Sequence, residues 1–139
     1  GTTDLREAVI NTPNMGTNDG LTVLISDFFS DEDWKKAVDY LCYKKRQVLL
    51  IQVLTPEGVA VSTADAYRGI RPHLPEVPLR EALSKPVGQW QDVLSNDFEE
   101  TVFAKYPELA AIKKSLYDIG ADYASMSGSG SALFGIYRK

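Results

Sequence analysis

Apolar positions change period along the chain, and the changes mark out its elements. Leu21-Thr22-Val23-Leu24-Ile25-Ser26 is a short β-branched run after a polar stretch ending at Gly20, the pattern of a buried parallel strand. Trp34, Ala37, Val38, Leu41 and Cys42 then recur at helical spacing and form one apolar stripe. Ser30 before Asp33 supplies the N-cap signal, and Lys44, Lys45 and Arg46 put cations where the helix dipole favours them. Gln47 to Leu54 reads as a second buried strand, stopped by Thr55-Pro56. Strand, helix and strand joined by short loops predict a βαβ unit with a right-handed crossover. Upstream, Thr2 to Ile10 predicts a capped helix that ends at Asn11-Thr12-Pro13.

After Gly58 the pattern becomes irregular. Val59-Ala60-Val61-Ser62 predicts a short strand, and Thr63 predicts the cap of a short helix through Tyr67. Gly69 to Pro78 carries several prolines and predicts an irregular connection. Glu81 to Leu94 predicts one or two short helices broken near Pro86 and Gly88. Asn96 caps a helix over Asp97–Tyr106, and Pro107 opens another at its first position. That helix turns Leu109, Ile112 and Leu116 inward and stops at Gly120. The tail predicts two short strands, Tyr123–Met126 and Ala132–Tyr137, joined by the loop Ser127-Gly128-Ser129-Gly130-Ser131. The fold class expected is an α+β layered sandwich, a mixed sheet of four or five strands with helices mainly on one face. At 139 residues the chain is expected to form one domain.

Composition narrows the function classes. With 44% apolar and 24% charged residues, the chain reads as an ordinary globular protein. The net charge of −4, from 15 basic and 19 acidic residues, argues against nucleic-acid binding, which needs clustered Lys and Arg. No apolar run reaches the roughly 20 residues that a membrane-spanning helix needs. One cysteine, Cys42, rules out an internal disulfide, fits a cytoplasmic location and reads as a small core residue. Nothing in the sequence sets the oligomeric state. The chain opens on Gly1 rather than Met, as expected of a fragment or a processed product.

Candidate chemistry is sparse. His73 is the only histidine and lies between prolines without a nucleophile motif beside it, so it reads as a surface loop residue. Lys113-Lys114 reads as a solvated helix face. Trp34 reads as core, and Trp90 as either core or site. Ser127 to Ser131 offers successive backbone N–H groups suited to a phosphate, or else a simple hairpin turn.

Three blocks carry a family resemblance: Val61-Ser62-Thr63-Ala64-Asp65-Ala66-Tyr67, Asn96-Asp97-Phe98-Glu99, and Ala124 to Gly135 with its Ser-Gly-Ser-Gly-Ser centre. Residues 58–138 resemble the C-terminal domain of GHMP-type small-molecule kinases, specifically the 4-diphosphocytidyl-2-C-methyl-D-erythritol kinase family of isoprenoid biosynthesis. The resemblance implies a ferredoxin-like substrate-binding domain in which Thr63 and Tyr67 help hold a cytidyl group. It extends that substrate site to Ser127, Gly128, Ser129, Gly130 and Ser131. ATP and Mg belong to the parent family, whose ATP loop and catalytic Asp and Lys lie upstream of the matching segment. No cofactor and no catalytic residue are therefore assigned to this chain, which is expected not to phosphorylate by itself.

Residues 1–57 resemble the later part of a bacterial von Willebrand A-like domain, through Gly1-Thr2-Thr3-Asp4-Leu5, Leu24 to Phe28, and Val48 to Glu57. That resemblance places Thr3 and Asp27 beside a divalent metal whose primary ligands would lie upstream. With so few oxygen donors in view, no metal site is assigned. The expectation is a chimera joined near Glu57–Gly58. Its alternatives are an inert chimeric scaffold and a metal-dependent protein-binding module of von Willebrand A type.

Overall fold

The computed structural model describes residues 20–28 and 33–139. The helix expected from Thr2, the cap expected at Ser30 and the metal partner expected at Thr3 lie outside the described residues. Among those residues the elements run β1 (Leu21–Ser26), α1 (Asp33–Tyr43), β2 (Gln47–Leu54), α2 (Thr63–Gly69), α3 (Leu79–Ser84), a 3-10 helix (Val87–Asp92), α4 (Glu99–Lys105), α5 (Pro107–Asp118), β3 (Tyr123–Met126) and β4 (Leu133–Arg138). The strands form a mixed four-stranded sheet in the order β1-β2-β4-β3. This is the expected α+β class. The chain divides into two compact units, residues 1–52 with 138–139, and residues 53–137.

In the first unit β1 and β2 pair in parallel, from Leu21 opposite Gln47 to Ser26 opposite Gln52. The Arg46 Nε donates to Thr22 Oγ1 at 2.8 Å, and the Gln47 amide donates to the Gly20 carbonyl. Val48 and Lys139 exchange backbone hydrogen bonds at 3.1 and 2.8 Å. Ala37, Val38 and Leu41 of α1 are buried, as are Val48 and Leu50 of β2. Two expectations fail here. β1 is not a buried strand: its pleat leaves Leu21, Val23 and Ile25 exposed while alternate residues are half-buried. Cys42 is exposed rather than core. At 3.6 residues per turn it lies about 90° from the centre of the buried arc on α1, at the edge of the stripe.

The second unit is built around Ala66, Val102, Leu109, Leu116, Ala124, Met126 and Leu133, with Leu54, Val59, Val61, Phe98 and Ile112 packed against them. Pro107 occupies the first turn of α5, as the sequence predicts. The helix ends in a Schellman arrangement: Gly120, at φ +104°, donates to the Tyr117 carbonyl, and Ala121 donates to the Leu116 carbonyl. The chain then enters β3, which pairs antiparallel with β4 from Tyr123 opposite Ile136 to Met126 opposite Leu133.

Val59–Ser62 is not a strand. A turn at Glu57–Gly58, with Gly58 at φ +75°, redirects the chain. The Ala60 carbonyl then accepts from the Tyr106 hydroxyl rather than from a ladder. The cap of α2 is Ser62, whose hydroxyl accepts from the Asp65 amide at 3.3 Å, and Thr63 is the first helical residue. α4 starts at Glu99, later than the sequence predicts, because residues 97–98 form a turn in which Asn96 Oδ1 accepts from the Phe98 amide and the Asn96 carbonyl from the Glu99 amide.

Trp90 donates its indole N–H to the Lys85 carbonyl at 2.8 Å and packs edge-on against Tyr123. Trp34 is half-buried and its ring meets Phe28. Burial pushes the Tyr123 phenol above its ordinary value of 10.0, and the nearby Glu99 carboxylate pushes in the same direction. Burial raises Tyr137 as well. A phenol held neutral in the fold binds its proton more tightly than in the unfolded chain. Its stabilisation is therefore complete below pH 10.0 and is lost as pH rises through the raised value. The urea midpoint is expected to fall between pH 9 and pH 11, and Tyr123→Phe is expected to reduce that fall.

Candidate functional site: the Ser-Gly loop and its supports

The site residues named from the sequence all lie in the second unit. The loop from Ser127 to Ser131 joins β3 to β4 and is closed at its base by the Ser127 amide donating to the Ala132 carbonyl at 2.7 Å. Inside it, the Gly130 amide donates to the Ser127 carbonyl at 3.1 Å. Gly128 and Gly130 have φ of +55° and +90°, the left-handed region that glycine enters without a side-chain penalty. A Cβ at Gly130 would stand 2.8 Å from the Met126 sulfur. The amides of Gly128, Ser129 and Ser131 have no acceptor among the described residues.

Two residues hold this loop from outside. The Asn96 amide nitrogen donates to the carbonyls of Met126 and Gly128, each at 2.8 Å, while its Oδ1 accepts from the Phe98 amide at 3.0 Å. The Glu99 Oε1 accepts from the Met126 amide at 2.8 Å and from the Ser125 hydroxyl at 3.1 Å. Its Oε2 takes the Lys113 ammonium at 2.6 Å. Lys113 is thus not on a solvated face. Its side chain is 25% exposed and that of Glu99 12%, whereas Lys114 is 76% exposed and pairs with Asp118. Neither support was identified as a site residue from sequence alone. The signal lay in the Asn96–Glu99 block, where a second polar residue sits one turn after the first.

Thr63 Oγ1 lies 3.5 Å from Ser129 Oγ, so the start of α2 and the loop meet. Tyr67, one turn further on, is 63% exposed and meets Phe98 edge-on at 5.0 Å. Phe98 in turn lines an open cleft of about 750 Å³ with Ile70, Val77, Leu79 and Val93. His73, an exposed loop residue as the sequence implies, stands at this cleft with its Nδ1 3.8 Å from an Asp97 carboxylate oxygen.

Asp27 follows β1 in the first unit; its carbonyl accepts from Gln52 Nε2 at 3.2 Å and its carboxylate lies 3.5 Å from the Ser26 hydroxyl. Among the described residues no group of three or more His, Cys, Asp or Glu side chains could hold a metal ion. Nor is any helix among them long and apolar enough to cross a membrane.

A glycine loop closed between β3 and β4, braced from the head of one helix and touched by the head of another, invites comparison with known proteins. Residues 79–139 match the family model for the C terminal of GHMP kinases. This GHMP-like segment contains both braces and the whole loop. The chain is 49% identical over 85 residues to a 4-diphosphocytidyl-2-C-methyl-D-erythritol kinase of Bacteroides fragilis, covering 61% of this chain and 31% of the relative. It is 46% identical over 97 residues to the kinase of the same name from Bacteroides thetaiotaomicron, covering 70% of this chain and 34% of the relative. A crystal structure of 4-(cytidine 5′-diphospho)-2C-methyl-D-erythritol kinase superposes with a TM-score of 0.51 at 30% identity, over 64% of this chain and 33% of that one. The chain therefore spans about a third of the length of these relatives. The GHMP-like resemblance read from the later blocks holds.

Proposed function

We propose that residues 58–139 form the substrate-holding part of a 4-diphosphocytidyl-2-C-methyl-D-erythritol kinase, able to bind a cytidyl small molecule but not to transfer phosphate as this chain alone. The observation that carries the reading is the Thr63–Ser129 approach of 3.5 Å, which joins the two sequence blocks of the site into one surface. On that surface Tyr67 offers an exposed ring for a base, an interaction worth roughly 1–3 kcal/mol per base. The amides of Gly128, Ser129 and Ser131, and the hydroxyls beside them, suit the phosphates. The similarity to kinases whose name includes the diphosphocytidyl group supports the same ligand class.

Titration with cytidine diphosphate, followed by tyrosine and tryptophan fluorescence, tests the reading. A saturable change that weakens in Tyr67→Ala is expected. No saturable change at millimolar ligand would overturn it and leave an inert scaffold. Incubation with ATP, Mg and the diphosphocytidyl substrate is expected to give no phosphorylated product, and product formation would overturn that part.

The same proposal gives residues 1–57 a separate, von Willebrand A-like parentage. The observation in its favour is that the family match begins at residue 79, whereas the alignments to the two Bacteroides kinases, over 85 and 97 residues, are longer than residues 58–139 and reach into the first 57. Sequence upstream of Gly1 in the source gene decides this. An Asp-x-Ser-x-Ser segment there supports the chimera, and an ATP-cradling glycine loop overturns it.

A further inference from the structure

Glu99 bonds to no residue of the proposed base or phosphate contacts, yet its carboxylate takes three partners. One oxygen receives the Met126 amide and the Ser125 hydroxyl at the end of β3, and the other receives the Lys113 ammonium from α5. Three elements therefore converge on one carboxylate: α4, which carries Glu99, α5, and the last residues of β3. Met126 is the residue immediately before the loop. Its amide is fixed by Glu99 and its carbonyl by Asn96, so both backbone polar groups of the residue that launches the loop are held by side chains. On the far side Leu133 is buried in the core.

Electrostatics explains why a charged brace is used. A carboxylate accepting a backbone N–H makes a stronger hydrogen bond than a neutral acceptor. A half-buried carboxylate also needs a partner to offset lost hydration, and Lys113 provides it. The brace sets the direction in which the Gly128, Ser129 and Ser131 amides leave β3. A loop of glycines and serines has little preference of its own for one such direction.

We infer that Glu99, paired with Lys113 at 2.6 Å, is the positioning residue that presets the Ser127–Ser131 loop as a phosphate seat. In its absence the loop samples further orientations of the Gly128, Ser129 and Ser131 amides. This deepens the proposed function and rests on it for the identity of the anion, but the ordering of the loop stands independently of any ligand. Affinity then falls in proportion to the fraction of time the loop is correctly set. A loop set one tenth of the time binds its anion about tenfold more weakly.

The test uses the whole 139-residue chain, labelled with ¹⁵N, in wild-type, Glu99→Gln, Lys113→Met and Lys113→Arg forms. Glu99→Gln keeps the shape and an acceptor oxygen but removes the charge, so the core packing is retained. Without ligand, Glu99→Gln and Lys113→Met are expected to shift the Gly128, Ser129 and Ser131 amide resonances and lower their heteronuclear NOE values. Lys113→Arg, which keeps the charge, is expected to restore them. Cytidine diphosphate affinity is expected to drop about tenfold in the first two variants and to recover in the third. Unchanged loop resonances and NOE values in Glu99→Gln and Lys113→Met would overturn the inference, whatever the ligand does. Wild type failing to bind cytidine diphosphate would instead overturn the proposed function, and the inference would then be decided by the ligand-free spectra.

Discussion

Leu133→Ala is expected to destabilise the protein by about 2–5 kcal/mol, the range for removing a fully buried leucine. Leu133 is 0% exposed, opens β4, and sits opposite Met126 across the antiparallel ladder. It belongs to the same buried cluster as Leu109 and Leu116 of α5, so its loss opens a cavity between a helix and a strand. Neither element can close over such a cavity without giving up other contacts, and close packing transmits the strain. Domains of this size are stable by only about 5–15 kcal/mol in total, so the change would remove a large fraction of the margin. Leu74, 93% exposed in the proline-rich connection, serves as the control, and Leu74→Ala is expected to stay within about 0.5 kcal/mol. Urea denaturation followed by circular dichroism reads both. Equal midpoints for the two variants would show that the cluster is not the core.

Gly130→Ala is the second large effect. The new methyl would meet the Met126 sulfur at 2.8 Å and Val61 Cγ2 at 3.4 Å, and the backbone at φ +90° is one that L residues rarely adopt. Backbone strain of this kind costs about 1–3 kcal/mol, and displacement of the thioether adds to it. Gly128→Ala separates the two causes. Gly128 has φ +55° and open space around its Cα, so only the milder left-handed penalty of roughly 1 kcal/mol applies. Chemical denaturation is expected to rank the variants wild type, Gly128→Ala, Gly130→Ala in falling stability. The Gly130 variant is also expected to lose cytidine diphosphate binding, because Gly130 holds the inner turn of the loop through its bond to Ser127. A Gly130→Ala protein as stable as Gly128→Ala would show that Met126 yields at no cost.

What the sequence made legible was local. β2 runs from Gln47 to Leu54 and α5 begins at Pro107, both where apolar period and punctuation place them. The β3–β4 hairpin follows from two short apolar runs around a Gly/Ser turn. The failures were tertiary. Val59–Ser62 has the composition of a strand but no ladder partner, because its apolar side chains pack into the core instead. Two adjacent hydroxyls, Ser62 and Thr63, offered the same capping chemistry, and one-residue choices of this kind depend on backbone dihedrals. Lys113 looked solvated because its ion-pair partner is 14 residues away on another helix, beyond the reach of helical spacing. The candidate site followed the same rule: the loop, Thr63 and the Asn96–Glu99 block were visible as motifs, while the bonds by which Asn96 and Glu99 hold the loop exist only once the chain is folded.

Asn96 gives the loop a chemical shelf life. Both carbonyls it holds, those of Met126 and Gly128, are bound by the two hydrogens of a single side-chain amide. Hydrolysis of that amide during storage would add about one dalton and leave a carboxylate, which accepts hydrogen bonds and donates none. Two carbonyl oxygens would then face a negative charge where they had faced two donors. An aged sample would lose both bonds, each worth about 1 kcal/mol, and the change in mass would report the lesion.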